Sequence, residues 1–535
     1  MLRIDQLRLL PGESESVLVA RAAKVLQLQP KDLLSCRLTR RSIDAREGVC
    51  FICSVLVGVK NEEKVLKRCR SRHVSKAEKL HYAPPHPISA PSVPPVVVGA
   101  GPAGLFAALL LAEAGAKPIL LERGQPVEQR QEDVRRFWES GVLDTASNVQ
   151  FGEGGAGAFS DGKLNTGTKD PRHRYILHRL VEFGAPEEIL YDAKPHVGTD
   201  KLHIVLVNLR KHLLQHGADI RFGHQLTDIY LDGGSITSVT VRSAEGEYEL
   251  PCRELLLAPG HSARDTFAML HERGIPMQPK PFAVGVRIEH RQKDIDAAQY
   301  KEYAGHPALP ASSYKLACHL PNGRGVFSFC VCPGGQVVAA ASEEERLVTN
   351  GMSEFARDKE NINGGLLVNV NPEDFGGEGP LAGVEFQRKL EHAAYLAGGG
   401  GYAAPAQKVG DFLRGVPSTG AGAVTPSYLP RVTWTDLNEC LPAFVAESLR
   451  EALPLLEQKL PGFAAEDAVL TAVESRSSSP LRIIRDDAGH SPVSGLFPCG
   501  EGAGYAGGIL SAAADGMRQA EQVLAACGKE NGSWN

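Results

Sequence analysis

The sequence predicts an α/β protein: a Rossmann-type nucleotide-binding domain that carries an inserted mixed α+β domain and follows a small N-terminal α+β module. Three observations carry that expectation. Residues 96–122 run as apolar strand, glycine turn, helix, second apolar strand and acidic residue. Two more glycine-rich stretches, 148–165 and 494–520, recur later in the chain. A proline-rich span, 84–95, sets all of them apart from the opening residues.

Residues 1–83 are expected to form the small module. Residues 1–9 read as a strand, 14–28 as a helix, 33–39 and 48–59 as strands, and 60–72 as a second helix. That alternation suggests ferredoxin-like order. Cys50 and Cys53 are formally C-x-x-C, but they lie in an apolar strand where residues three apart face opposite sides. They read as buried strand cysteines rather than a redox or metal pair. The basic run Lys64, Lys67, Arg68, Arg70, Arg72, Lys76 and Lys79 reads as a solvated face, with contact to RNA or a partner as the alternative. Prolines 84, 85, 87, 91, 94 and 95 make 84–95 a semi-extended linker.

The first part of the nucleotide domain spans 96–279. Gly99 permits a tight turn after Val98, Gly101 lets the backbone approach a pyrophosphate, and Gly104 lets the helix pack close to the strand. The helix N-terminus offers free N–H groups and partial positive charge to phosphates. Glu122 ends the second strand, where a carboxylate accepts from both ribose hydroxyls and repels a 2′-phosphate. The ADP-ribose of FAD or NAD therefore fits, and NADP does not. Residues 127–140 read as a charged helix. The loop 148–165 holds so many small residues that its backbone is expected to lie against a ligand. A helix at 201–217 and short strands at 219–222, 225–231, 236–243 and 247–250 follow, then an apolar strand into Pro259-Gly260-His261-Ser262.

Residues 280–480 read as the inserted substrate domain, with strands at 282–288 and 325–331 and a helical stretch at 437–460. Cys330-Val331-Cys332 is a C-x-C with both thiols on one face of a strand, a poor metal site because two thiols alone do not complete one. Arg287 and His290, and the polar stretch Arg476, Ser477, Ser478, Ser479 and Arg482, are candidates to bind an acidic group. Residues 481–535 return to the first domain. There a strand meets Gly500-Glu501-Gly502 and a glycine-rich helix start, which resembles the place in flavoproteins where an acidic residue bonds a ribityl hydroxyl and a helix N-terminus offsets the negative charge of a reduced flavin. Cys499 beside it reads as packing. Three separate glycine-rich elements have the reach of FAD rather than NAD.

Composition narrows the remaining classes. A net charge of −5 gives no reason to expect nucleic acid or an anionic membrane as the main partner. No run of about 18 apolar residues exists, so no membrane span is expected. The eleven cysteines are scattered and odd in number, which suits free thiols in a reducing compartment, with the cytoplasm as the expected location.

Several motifs together resemble a known family: RRSIDAR (40–46), VVVGAGPAGLFAAL, FGEGGAGAFSDGKLNTGT, LAPGHSARDTF (257–267), KPFAVGVRIEH (280–290), ESRSSSPLRIIRD (474–486) and FPCGEGAGYAGGILSAAADG. The chain is similar to the uncharacterised bacterial FAD-dependent dehydrogenase family, within the glutathione-reductase-like flavoprotein superfamily. The resemblance spans nearly the full length and implies non-covalent FAD and oxidoreductase chemistry, without naming a substrate. Glu501 stands where the wider superfamily usually has Asp, which leaves its ribityl contact open.

The expected FAD contacts are Gly99, Gly101, Pro102, Ala103, Gly104, Glu122 and Arg123; Gly154, Gly155, Ala156, Ser160, Gly162 and Lys163; Leu226; Ala258, Pro259, Gly260 and His261; and Gly500, Glu501, Gly507, Gly508 and Ile509. Asp161, Lys163 and Arg287 are the catalytic candidates, and no metal is expected. The expected activity is hydride transfer through FAD to or from a small metabolite, with NAD(P)H a candidate transient donor. The alternative is a flavoprotein whose N-terminal module binds RNA or protein.

Overall fold

The computed structural model describes residues 1–77 and 82–530. In the N-terminal module four strands form one antiparallel sheet. Leu33–Asp44 lies at the edge, then Cys50–Val59, Leu2–Leu9 and Val74–Lys76, the strand order of a βαββαβ unit. Leu2, Ile4, Leu7 and Leu9 all face the core, although the step from 4 to 7 breaks the alternation. A bulge there, with Gln6 at φ 63°, resets the parity. The helix Ser16–Leu26 buries Leu18, Ala22 and Leu26 against this face. The second helix is shorter than its composition suggests, Glu62–Arg68, because Asn61 caps it by accepting from the Lys64 N–H (3.1 Å) and Cys69 turns extended. Lys64, Lys67, Arg68, Arg70, Arg72 and Lys76 are exposed, and Lys79 lies outside the described residues.

The module is tied to the rest by strand-like contacts. The Arg41 N–H donates to the Tyr191 carbonyl (2.7 Å), the Ala193 N–H donates to the Arg41 carbonyl (2.8 Å), and the Arg41 guanidinium pairs with Asp192 (3.0 Å). The proline-rich span has no regular structure but is anchored. The Tyr82 hydroxyl donates to Glu521 (2.7 Å), and the Ile88 N–H donates to the Ala114 carbonyl (2.8 Å).

Five parallel strands form the central sheet, in the order Leu496–Pro498, Leu255–Leu257, Val96–Val98, Ile119–Glu122 and Asp219–Phe222. The helix Pro102–Glu113 is apolar all round and buried along nearly its whole length, as a helix between a sheet and another helix must be. The C-terminal helix Ile509–Glu530 crosses it closely, since a side chain at Gly516 would overlap the Ala103 carbonyl. A three-stranded antiparallel meander, Gln225–Asp232, Ser235–Ser243 and Gly246–Pro251, sits beside this sheet.

The chain leaves this unit and returns to it through an antiparallel pair, Met277–Pro279 with Leu481–Ile483. Between them lies a larger mixed sheet, whose central strands are Gly325–Ala339, Asn361–Val370, Phe282–Arg291 and Val469–Glu474. The helices Ala382–Ala397 and Ala443–Glu457 cover it. Asn361–Val370 carries Asn-Gly-Gly, which hides it as a strand in the sequence. Gly364 is required because a side chain there would press on Val331 and on the Tyr314 hydroxyl, at 2.9 and 3.1 Å. The helix Arg172–Glu182 likewise escapes sequence reading, because it buries only Ile176 and Leu180. Among the described residues no helix is long and apolar enough to cross a membrane. No disulfide is present among the described residues.

Candidate functional site

The carboxyl ends of the parallel strands open onto one cavity, where ligands bind in open α/β sheets. Val98–Gly99, Leu121–Glu122, Ala258–Pro259 and Cys499–Gly500 bring four strand ends to it. Gly101, Pro102, Ala103, Arg123, Gly155, Ala156, Ser160, Lys163, Leu226, Gly260, His261, Glu501, Gly508 and Ile509 line it as well.

At the nucleotide end the wall is backbone. Gly99 takes φ +97°, and a side chain there would overlap the Ala258 carbonyl. Gly101 faces Gly155 across a gap, with its missing Cβ 3.8 Å from the Gly155 Cα. No side chain caps the helix at Pro102, so its first-turn N–H groups have no side-chain acceptor. Four predicted contacts do not line the cavity and have other work. A side chain at Gly104 would overlap the Gly99 carbonyl, so this glycine lets the helix meet the turn. Gly154 and Gly162 pack on Leu206 and on Gly198 with Leu202, where the loop folds against the helix Thr199–Gln215. Gly507 is exposed.

Glu122 lines the cavity but is 94% buried, with 6% exposed, and its carboxylate already accepts three backbone N–H groups. Ala100 donates to Oε2 (2.8 Å), and Gly124 and Gly152 donate to Oε1 (2.9 Å each). A carboxylate has about four acceptor positions. Glu122 therefore first ties the fingerprint turn to the glycine loop, and one direction on Oε2 is left for a ribose. Arg123 lies over the Phe151 ring (4.2 Å) and forks onto Asp265 (2.9 and 3.0 Å).

Arg130 is the residue sequence reading missed. It is fully buried and donates to the carbonyls of Asn148 (2.8 Å), Val149 (3.0 Å), Gly152 (3.3 Å) and Glu153 (2.7 Å). One guanidinium thus shapes the start of the glycine loop. Burial pulls its pKa down to about 10, partly offset by Glu122 and Glu153. Burial in turn pushes Glu153 up to about 7. A signal existed: Arg130 falls on the stripe of Val127, Val134 and Phe137, the buried face of its helix.

The opposite wall is made of side chains. Asp161 is fully buried and accepts from Arg357, Ser353 and the Lys163 ammonium (2.8 Å). Burial alone would raise its pKa, but Lys163 and Arg357 hold it well below the usual carboxylate range. Asp161, a catalytic candidate from the sequence, lines the cavity with its carboxylate held in ion pairs to Lys163 and Arg357. Lys163 lines the cavity as well.

Arg287 does not line the cavity. It is fully buried and donates to Glu474 (3.0 Å), to Asn363 and to the Cys330 carbonyl (3.1 Å). Its charge is neutralised beneath the wall, so it does not bind substrate. His290 is three residues on along the strand, hence on the other face, and its ring contacts the Phe463 carbonyl (2.8 Å) in the core.

Arg476 lines the cavity yet is also spent internally. Glu391, with no exposure, accepts from both Arg476 (2.8 and 2.9 Å) and Arg264 (2.7 and 2.8 Å). This Arg–Glu–Arg cluster joins the parallel-sheet unit to the larger sheet. Ser478 accepts from the Lys280 ammonium (3.4 Å), and Arg482 lies over Tyr505 (5.1 Å). Near the C-terminal helix, burial pushes Glu501 up to about 7, and burial with Arg476 and Arg264 pushes His261 down to about 3. His261 is thus a neutral imidazole, 3.9 Å from Glu501. Thr349 lines the cavity at 1% exposure, and its hydroxyl has no hydrogen-bond partner among the described residues.

The glycine cradle, the uncapped helix and the acidic strand end fit a dinucleotide without a 2′-phosphate. They define an FAD-binding flavoprotein with a Rossmann-type fold. Three family patterns match in succession: a domain of unknown function over 1–57, an FAD binding domain over 92–263, and an FAD-dependent protein, C-terminal domain-like pattern over 281–477. A protein of Clostridium beijerinckii, described as "Uncharacterized protein", is 46% identical over 529 residues, covering 98% of each chain. The chain belongs to this family of FAD-dependent proteins. A 12-dehydrotetracycline 5-monooxygenase/anhydrotetracycline 6-monooxygenase of Streptomyces rimosus is 30% identical over 177 residues, 31% of this chain and 30% of its own. Among solved structures, an E. coli quinol fumarate reductase aligns at 13% identity and TM-score 0.38, over 83% of this chain and 72% of its own.

Proposed function

We propose that this protein is an FAD-dependent oxidoreductase that passes a hydride between non-covalent FAD and a small polar metabolite. The observation that carries the reading is a single cavity that runs from the backbone cradle at Gly99–Ala103 to the side chains of Lys163, Cys330, Thr349 and Asn350. When bound, FAD supplies the hydride chemistry, and the protein supplies position and charge. In this reading the cradle residues and Glu122 hold the ADP-ribose. Glu501, Gly508 and the start of the Ile509–Glu530 helix face the flavin end. Lys163 is the one predicted catalytic residue kept, as a fixed positive charge for an anionic or carbonyl oxygen of the substrate. Asp161 positions it. The unpartnered Thr349 hydroxyl, buried at 1% exposure, supports a polar ligand beside Lys163, since a buried hydroxyl ordinarily has a partner. NAD(P)H, where it serves as donor, docks transiently at the same face. In this reading FAD is held by 96–279 and 481–535, and the substrate by 280–480 together with Lys163.

The test is anaerobic mixing of the purified protein with NADH, NADPH and a metabolite library while flavin absorbance is followed. Bleaching by at least one member is expected. Bound flavin that none of them reduces contradicts the proposal.

A further inference from the structure

One loop serves two cavities. Residues 500–508 join the strand Leu496–Pro498 to the C-terminal helix. Glu501 and Gly508 line the cavity already described, whereas Tyr505 lines a second, separate one. Arg482, Arg485, Arg518 and Gln278 line the second cavity with it. Gln278 and Arg482 sit directly opposite each other in the short antiparallel pair Met277–Pro279 with Leu481–Ile483, so their side chains leave on the same face.

The three guanidiniums differ in what they already hold. Arg485 forks onto Asp515 (2.6 and 3.0 Å), donates to the Pro498 carbonyl (2.7 Å) and lies over the Tyr505 ring (3.8 Å). Arg518 pairs with Asp170 (3.0 Å) through one nitrogen. The Arg482 side chain makes no hydrogen bond or ion pair among the described residues, and its Nε is buried without a partner. Its contact is the other guanidinium-stacked ring, Tyr505, at 5.1 Å. Lys280 nearby also lacks a counter-ion among the described residues. Its ammonium donates to Ser478 Oγ (3.4 Å) and the Ser479 carbonyl (3.5 Å). Burial and then the Arg482 charge lower its pKa, with Glu501 opposing.

Two carboxylates line the cavity as well, and neither answers Arg482. Asp486 turns back on its own loop and accepts from the His490 N–H (2.8 Å). Asp487 is exposed to solvent. A partly buried guanidinium without acceptors is unfavourable until an anion completes it.

We propose that this second cavity is an anion site that takes a phosphate group, held by the Arg482 fork together with the Gln278 amide and the remaining nitrogens of Arg518. These donors come from a strand, its partner strand and a helix, so they converge from more than one direction. That suits the tetrahedral oxygens of phosphate better than a planar carboxylate. Free phosphate and a phosphate monoester present the same oxygens, and both fit this chemistry. The site shares no lining residue with the FAD cavity and stands independently of the hydride-transfer reading.

The test is calorimetric titration of the full-length, FAD-loaded protein in a chloride buffer, with inorganic phosphate, ribose 5-phosphate and acetate as probes. Saturable binding of both phosphate probes, and weaker binding of acetate, is expected. Tighter binding of the ester assigns the site to a phosphorylated metabolite, and equal binding to free phosphate. Arg482→Met keeps an unbranched stem over Tyr505 but loses the fork, and is expected to weaken phosphate binding by about tenfold or more. Asp487→Asn removes an exposed opposing charge and is expected to strengthen it by about two- to fivefold. Where Arg482→Met does not fold, Asp487→Asn decides. Heat no greater than that of potassium chloride at matched ionic strength overturns the proposal. So does acetate bound as tightly as phosphate, unchanged affinity in folded Arg482→Met, or no gain in Asp487→Asn. Flavin absorbance is followed in the same samples: release of FAD by phosphate places the anion in the first cavity and overturns the proposal too.

Discussion

At the fingerprint end the cavity wall is main chain; at the opposite end it is paired charge. Gly99, Gly101 and Gly155 build the first wall by lacking side chains, with Glu122 and Arg130 fastening the loops from behind. The second wall rests on Asp161 with Lys163 and Arg357, on Arg287 with Glu474, and on Glu391 with Arg264 and Arg476. The two walls fail differently. The backbone wall is lost when a Cβ is added. The charged wall is lost when one partner is removed, because a buried charge without its counter-ion is costly.

The largest effect is expected at Glu391. Glu391→Ala leaves the buried Arg476 guanidinium without its carboxylate and leaves Arg264 with Glu343 alone, and unfolding by denaturant should show a loss of about 3–5 kcal/mol. A loss under about 1 kcal/mol would mean that the cluster is not a structural seam. Next comes Arg130→Met, which frees four carbonyls of the glycine loop at once. A stability loss of about 2–3 kcal/mol and weaker FAD retention are expected together. Retained affinity for FAD with lowered stability would separate the loop from the cofactor.

Glu153 gives a pH effect. Its carboxyl titrates at about 7 in the folded chain against 4.5 for the free group, raised first by burial. Between those values the folded chain holds the extra proton, so this contribution to stability is full in acid and is lost as pH rises through 7. Relative to wild type, Glu153→Gln should gain stability on going from about pH 5 to 8, by roughly 1–3 kcal/mol in the difference. A flat difference across that range would place the proton elsewhere. The smallest effect is expected at Arg41→Ala, where a partly exposed pair with Asp192 helps dock the N-terminal module. A loss of about 0.5–1 kcal/mol is expected, with FAD content unchanged.

The same contrast decides what the sequence reveals. The backbone wall is written locally: glycines at 99, 101 and 104 sit a few residues apart, and their steric reasons follow from one turn. The packing role of Gly104 is legible there, but Gly154 and Gly162 read as cofactor contacts when they serve packing, because spacing does not say which side of a glycine is crowded. The charged wall is written across the chain. Asp161 meets Arg357 across 196 residues, Arg287 meets Glu474 across 187, and Arg264 meets Glu391 across 127. No local pattern couples such residues, so Arg287 and Arg476 look free to bind an acid when each already holds one. Arg130 lies between the two cases, visible as a charge on an apolar helix face but without its carbonyl partners in view.

The central claim is that the backbone wall holds FAD. Gly101→Val tests it most directly, because the added side chain enters the gap toward Gly155 without meeting protein atoms closer than 3.8 Å at its Cβ. Flavin released by acid from equal amounts of folded wild type and variant is the measurement. Stoichiometric FAD from the wild type and none from a variant with unchanged thermal unfolding is the predicted result. Equal flavin from both would contradict the account.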